Sequence, residues 1–454
     1  MKRKFYDIHF HSLDLSHANL LAFLSRISFF STIDLNEPKK GFFKSIGNYC
    51  SLIKTVIGRK KTKFRKVRNL LSFMESSIKY DFLILEHFIK HPKYDTVLNA
   101  NNKITIEDQE YDKIVLCPLI IDFGYQNKNQ SDLAYDIPPQ KPIQEQVIDL
   151  LQSIHTYYHY NTSIKSKANG KGKYLKFTPN GHNKENKLFE IYPFLGINPC
   201  NYGLDEIEEI LNKYFKGFKN DTPEERQRKL YNKMGTFNDH NLKGDNLNYL
   251  FTGIKIYPPL GFNPWPENDQ TEFEKANYIY NFCVENKIPI TTHCSDGGFA
   301  VCSNAKEITN PGNSWAKVLE NYPELKLNFA HFGSQSSRRK TSWQKSVIDH
   351  ALKYPNVFTD FSCIAFSEKY YKKLGKIVKR EKPELQNKIL FGSDFLINLL
   401  WSKSYNEYLN TFIKTENIEQ KHLFCSENAE TFLFGDVIAN DKDQKKSSSE
   451  MIEA

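Results

Sequence analysis

No apolar run in this 454-residue sequence approaches the ~18 residues of a membrane-spanning helix, so a bilayer span is not expected. A secretory leader is not expected either, because the basic start MKRKFYDIHF is followed by no long apolar stretch and no small-residue cleavage site. The eight cysteines lie apart, with no CxxC pair and no disulfide-like density, which points to reduced, mostly buried thiols in a cytoplasmic setting. HExxH is missing too. Two histidine pairs at i,i+4, His87 with His91 and His155 with His159, share helix faces, and capping or plain surface is the reading taken for both. A further absence is local: Lys54 to Arg68, KTVIGRKKTKFRKVR, holds eight basic residues and no acidic one, within a formal net charge of +9. A scaffold that binds nucleic acid or an anionic membrane is one reading of that run. A solvated insertion is the other, adopted because no nucleic-acid module accompanies it.

A hydrophobic content of 40% and an aromatic content of 14% suit a globular chain, and short apolar segments alternate with helical stretches throughout. The expected strands are Lys4 to Phe10, Lys113 to Ile121, Leu188 to Gly196, Phe251 to Pro258, Ile288 to His293, Leu325 to His331, Asn356 to Ser362 and Lys388 to Asp394. Eight is the number that closes a (β/α)8 TIM barrel, and the fold class expected is α/β of that kind. Long insertions follow strands one and two, at about 36–110 and 122–187. Their length suits a lid over the strand ends or a subunit interface, so a homo-oligomer stays open. Asn161 to Lys187 reads as a hairpin or mobile loop. The barrel domain is expected over 1–437, with 438–454 a disordered tail.

The segment YDIHFH carries the first chemical signal. On a strand the side-chain period is two, so His9 and His11 share a face. Barrel active sites form at the carboxyl ends of the strands. Strand four carries Lys255, strand five ends in His293, strand six in His331 and strand eight in Asp394. Each alone has a bland reading: a strand-end histidine is commonly hydrogen-bonded structure, and Asp394 suits a helix cap. Six such residues at matching positions form a divalent-metal constellation, since imidazole and carboxylate suit zinc and also admit manganese or iron.

The ordered set DIHFH, GIKIYP, TTHCSDGG, NFAHFG and FGSDF, followed by ENAETFLFG (Glu427 to Gly435), resembles the amidohydrolase superfamily, and within it the amidohydrolase-related (amidohydrolase 2) branch. That branch also holds lactone hydrolases and decarboxylases such as aminocarboxymuconate semialdehyde decarboxylase. The resemblance spans most of Lys4 to Gly435 and is strongest from Phe251 onward. It implies that His9, His11, His293 and Asp394 hold the metal, with Asp394 taking a proton from the attacking water. His331 is then a ligand of a second ion or the group that polarises the substrate. Lys255 is either a carboxylated bridge between two ions or an ordinary ammonium facing substrate. One ion, zinc before manganese or iron, is the reading adopted, and two if Lys255 is carboxylated.

The reaction expected is attack of metal-activated water on an ester, lactone or amide carbonyl of a small organic substrate. Non-oxidative decarboxylation on the same residues is the alternative, and the basic scaffold is the rival from another class. Weaker substrate candidates are Trp265, with Phe262, as an aromatic wall, Ser295 and Asp296 in the glycine-bearing loop after His293, and Arg338, with Arg339, as a carboxylate clamp. Asp122, just past strand two, also faces the mouth on this reading.

Overall fold

The computed structural model describes residues 3–14, 17, 70–71, 73–74, 77–124, 142–167, 172–237, 247–300, 302–336 and 341–435. The basic segment Lys54 to Arg68, Arg338, Arg339 and the tail 438–454 lie outside the described residues.

Eight parallel strands follow one another in chain order, in a ladder of three strands and a ladder of six that meet at the third. They are β1 (Lys4–Phe10), β2 (Lys113–Pro118), β3 (Phe189–Ile191 and Phe194–Gly196), β4 (Gly253–Ile256), β5 (Ile290–Thr292), β6 (Leu327–Phe329), β7 (Val357–Asp360) and β8 (Ile389–Leu390). Each pairs in parallel with the next. β3 is interrupted because Pro193 has no N–H to give the ladder. Its neighbours carry the pairing across the gap through Tyr192 N to Leu116 O at 2.9 Å and a parallel bridge between Leu119 and Phe194.

The ring closes between β8 and β1. Ile8 N donates to Phe391 O at 3.1 Å, Asp394 N donates to His9 O at 2.7 Å, and Phe10 bridges Phe395 in parallel. The eighth strand thereby meets the first, as the eight-strand count requires.

Strand residues such as Ile8, Val115, Leu116, Phe189, Ile254, Ile290, Leu327, Val357 and Leu390 are buried. Near-continuous apolar strands are what a parallel sheet covered on both faces demands. Helices follow the later strands on the outside: Gln270–Glu285 after β4, Ser342–Lys353 after β6, Glu368–Arg380 after β7 and Tyr405–Lys414 after β8. Among the described residues no helix is long and apolar enough to cross a membrane.

The described parts of the two insertions are structured. The first holds the helix Asp81–Lys90 and a short hairpin of Ile104–Ile106 with Gln109–Tyr111. His91 caps the turn after that helix, its Nδ1 accepting from Lys93 N at 3.2 Å, in line with the capping role expected of it. In the second, the helix Ile143–His159 leads into a hairpin of Tyr160–Ser166 with Lys173–Pro179, within the span read as a hairpin or loop. Tyr157 Oη accepts from Phe189 N at 2.9 Å and Tyr158 Oη donates to Phe189 O at 3.0 Å. These bonds fix the carboxyl end of the helix beside the amino end of β3, away from the strand ends that carry the histidines.

Candidate metal centre

The carboxyl ends of β1, β5, β6, β7 and β8 bring their polar residues together. His9 and His11 lie on one face of β1 with ring centroids 5.2 Å apart. His9 Nδ1 donates to Asp360 Oδ2 at 3.1 Å, with Ser362 Oγ also 3.1 Å away. His11 Nδ1 donates to Leu119 O at 2.8 Å. A neutral imidazole has one N–H, so in both rings Nε2 is left as the lone-pair nitrogen, a tautomer assigned from the bonding network. Both lone pairs face one carboxylate: Asp394 Oδ1 lies 3.5 Å from His9 Nε2 and 3.2 Å from His11 Nε2. His9 Nε2 is buried and has no hydrogen-bond partner among the described residues.

A second pair repeats the pattern. His331 Nδ1 donates to Ser362, whose carbonyl O is 3.0 Å away, and His293 Nε2 donates to Gly297 O at 3.0 Å. The remaining nitrogens, His331 Nε2 and His293 Nδ1, face each other at 3.1 Å. With both rings neutral, two lone pairs oppose one another with no proton between them. That arrangement is repulsive alone and favourable around a cation. Two nitrogens on one tetrahedral ion at about 2.05 Å are themselves separated by about 3.3 Å.

The electrostatics keep these donors ready. Burial lowers the proton affinity of His9, to a pKa of about 3, and of His293 and His331, so all three are neutral at pH 7. Burial alone would push Asp394 and Asp360 up. The histidines around each, with the hydrogen bonds that Asp360 receives, outweigh that and hold both carboxyls well below the usual range. The donor set is therefore unprotonated imidazole plus carboxylate, which fits a zinc-class divalent ion. Groups of donor atoms close enough for one ion are His9, His11 and Asp394, and His9, His331 and Asp360. His9 Nδ1 is already committed to Asp360, so the first group presents the more complete set of open lone pairs.

Backbone strain accompanies the site. His331 (φ 60°) and Asp394 (φ 57°) stand in the left-handed region at the ends of β6 and β8, as does Cys363 (φ 59°) after β7. Non-glycine residues held there cost about 1–3 kcal/mol each, strain that persists where the surroundings over-determine it.

Residues 244–435 match the family model described as Amidohydrolase (Amidohydro_2). Over this span the chain is similar to that family. No curated protein sequence matches it. Among solved structures it is similar to an amidohydrolase 2 from Bifidobacterium longum subsp. infantis, at 10% identity and a TM-score of 0.38, covering 96% of this chain and 100% of that one. It is also similar to an uncharacterized TIM-barrel protein from Bordetella bronchiseptica, at 17% identity and a TM-score of 0.32, covering 54% and 78%. The barrel itself rests on the closed hydrogen-bond ladder of this chain. Family and donor set together support a metal-dependent hydrolase or decarboxylase in general terms.

Asp360 is the site residue that the sequence reading left out. Its Oδ1 accepts from His331 N at 3.1 Å and Ser362 N at 2.9 Å, and its Oδ2 accepts from Asn328 Nδ2 at 2.8 Å besides His9. It holds β1, β6 and the turn after β7 to one carboxylate and fixes the His9 tautomer. A polar residue at the carboxyl end of β7 was the available signal. Lys255 on β4 is buried, its Nζ has no partner among the described residues, and burial lowers its pKa to about 8 against the pull of Asp360 and Asp394.

The weaker candidates are engaged elsewhere. Asp296 accepts from Ser336 Oγ at 2.9 Å, Ser295 Oγ accepts from Gly297 N at 3.1 Å, and Trp265 packs edge-on against Phe273. Asp122 is a strand-end clamp, accepting from Asn198 N at 3.0 Å and Tyr202 Oη at 2.7 Å.

Gly392 supports the centre by its size. A Cβ there would stand 2.7 Å from His9 Cβ and 3.1 Å from Ser362 Cβ. Gly392→Ala is therefore expected to displace His9 and weaken metal binding about 10- to 100-fold, the usual penalty for losing a ligand's support. Metal titration with circular dichroism as the folding control checks this, and unchanged affinity would contradict it.

Proposed function

We propose that this protein is a metal-dependent hydrolase acting on the ester, lactone or amide carbonyl of a small organic substrate. The observation that carries the reading is the pair of lone pairs from His9 and His11 that face the Asp394 carboxylate, with the opposed nitrogens of His293 and His331 beside them, the His331 ring 4.9 Å from that of His9. A bound divalent ion, with zinc the best match to this donor set, supplies Lewis acidity and lowers the pKa of water from about 15.7 to near 7. The chain's own groups do the rest. Asp394, kept ionised, accepts the proton of the attacking water and returns it to the leaving group. His331, held by Ser362 and Asp360, faces the developing oxyanion. Lys255 offers an ammonium with no hydrogen-bond partner among the described residues and so favours a substrate carrying a carboxylate or similar anionic group.

That same ammonium favours one second reading, non-oxidative decarboxylation, in which Lys255 holds a substrate carboxylate and Asp394 or His331 delivers a proton to carbon. The test is a panel of lactones, esters, amides and unsaturated carboxylic acids offered to zinc- or manganese-loaded protein. Metal-dependent hydrolysis is the expected result. Carbon dioxide release without hydrolysis would move the assignment to the second reading, and inertness of fully loaded protein towards the whole panel would contradict both.

A further inference from the structure

Tyr257 stands on the wall of the metal centre with its hydrogen-bond donor unspent. It is the first residue after β4, and the strand period of two puts it on the same inward face as Lys255. Two prolines follow it, which keep its backbone out of the helical region, and Leu260 N donates to its carbonyl at 3.0 Å. Its ring lies against His293, centroids 4.5 Å apart with 31° between planes, and Lys255 Nζ stands 5.7 Å from the centroid. Gly298, at φ 98°, leaves room for both rings, since a Cβ there would stand 2.5 Å from Tyr257 Oη and 2.8 Å from His293 Nε2.

The phenol oxygen accepts from Phe299 N at 2.9 Å, and its own proton has no acceptor among the described residues. A hydroxyl both donates and accepts, so its donor is idle. The neighbouring ring N–H groups are committed: His9 to Asp360, His11 to Leu119 O, His293 to Gly297 O and His331 to Ser362. Lys255 Nζ is a second idle donor. Lys255 is 1% exposed against 9% for Tyr257, so the ammonium lies deep and the phenol nearer the solvent. Burial raises the pKa of the phenol, which therefore keeps its proton at pH 7.

We propose that Tyr257 is a specificity-determining residue of this centre, its O–H donating to a substrate carboxylate whose charge the Lys255 ammonium balances. The proposal rests on the hydrolase reading and adds to it the group that recognises the end of the substrate that does not react. A buried anion needs both a counter-charge and hydrogen bonds, and the two idle donors supply them. Phe299 N–H holds the phenol oxygen from the loop side, so the donor is in place before substrate arrives and little ordering is lost on binding.

The experiment is calorimetric titration of zinc-loaded protein with benzoate and with benzamide, its neutral isostere, on the wild type, Tyr257→Phe and Lys255→Met. Phenylalanine keeps the ring against His293 and removes only the hydroxyl. Tyr257→Phe is expected to weaken benzoate roughly 10- to 100-fold, the worth of a hydrogen bond to a charged group, and benzamide by clearly less. Lys255→Met should abolish the preference for benzoate. A loop displaced by the loss of the Phe299 bond would weaken both probes alike, so equal losses, or no loss of either, would overturn the proposal. Wild type that fails to prefer benzoate over benzamide would overturn it without any variant. Zinc content is measured on each sample, and turnover of esters, lactones and amides is assayed separately. A preference for benzoate lost in Tyr257→Phe, in protein without hydrolytic turnover, would contradict the hydrolase reading and keep this one. Turnover with an unchanged preference would do the reverse.

Discussion

Asp394→Asn is expected to lower kcat by roughly 10²- to 10⁴-fold, the range for removing a general base. The amide keeps the shape of the side chain but loses the charge that His9 and His11 face at 3.5 and 3.2 Å. It also loses the capacity to take a proton, which no nearby group replaces in kind, because Asp360 is already filled by donors from His9, Asn328, His331 and Ser362. The effect should appear in kcat with substrate and metal saturating, which separates a lost base from a lost ligand. Retention of more than about a tenth of the wild-type kcat in fully loaded Asp394→Asn would assign the proton transfer elsewhere.

Asp360→Asn has the second large effect, of a different kind. The carboxylate accepts from two backbone N–H groups, an asparagine amide and the His9 ring, all buried, and an amide in its place turns one acceptor into a donor facing donors. Leaving such groups unpaired is expected to cost roughly 3–5 kcal/mol of stability. It also frees the His9 ring, so metal affinity should fall about 10- to 100-fold. Denaturant unfolding in chelator isolates the first effect, and zinc titration under folding conditions gives the second. A variant as stable as the wild type would show that Asp360 is not the brace the hydrogen bonds describe.

The barrel was legible because its strands are buried on both faces and read as short apolar runs with polar residues at their carboxyl ends. His9, His11, Lys255, His293, His331 and Asp394 were visible for the same reason. Asp360 obeys the same rule and was passed over inside NVFTDFS, where its neighbours Thr359 and Ser362 blur the boundary between strand and site. Strand bounds were less legible: β5 and β6 stop at Thr292 and Phe329, just short of their histidines, because positive φ at His331 and the turn after Cys294 take the chain out of the ladder. The break in β3 follows from Pro193, which the sequence displays.

Ser334 and Ser336 come to meet the loop residues Ser295 and Asp296, a pairing that nothing in the sequence shows.

The most direct measurement of the central claim is the metal content of the barrel centre, taken by elemental analysis on chelator-free protein beside a folded His9→Ala/His11→Ala variant. The account predicts that the variant holds one divalent ion fewer per chain than the wild type, with zinc the ion lost. Equal metal content in the two proteins, after loading both under the same conditions, would contradict it.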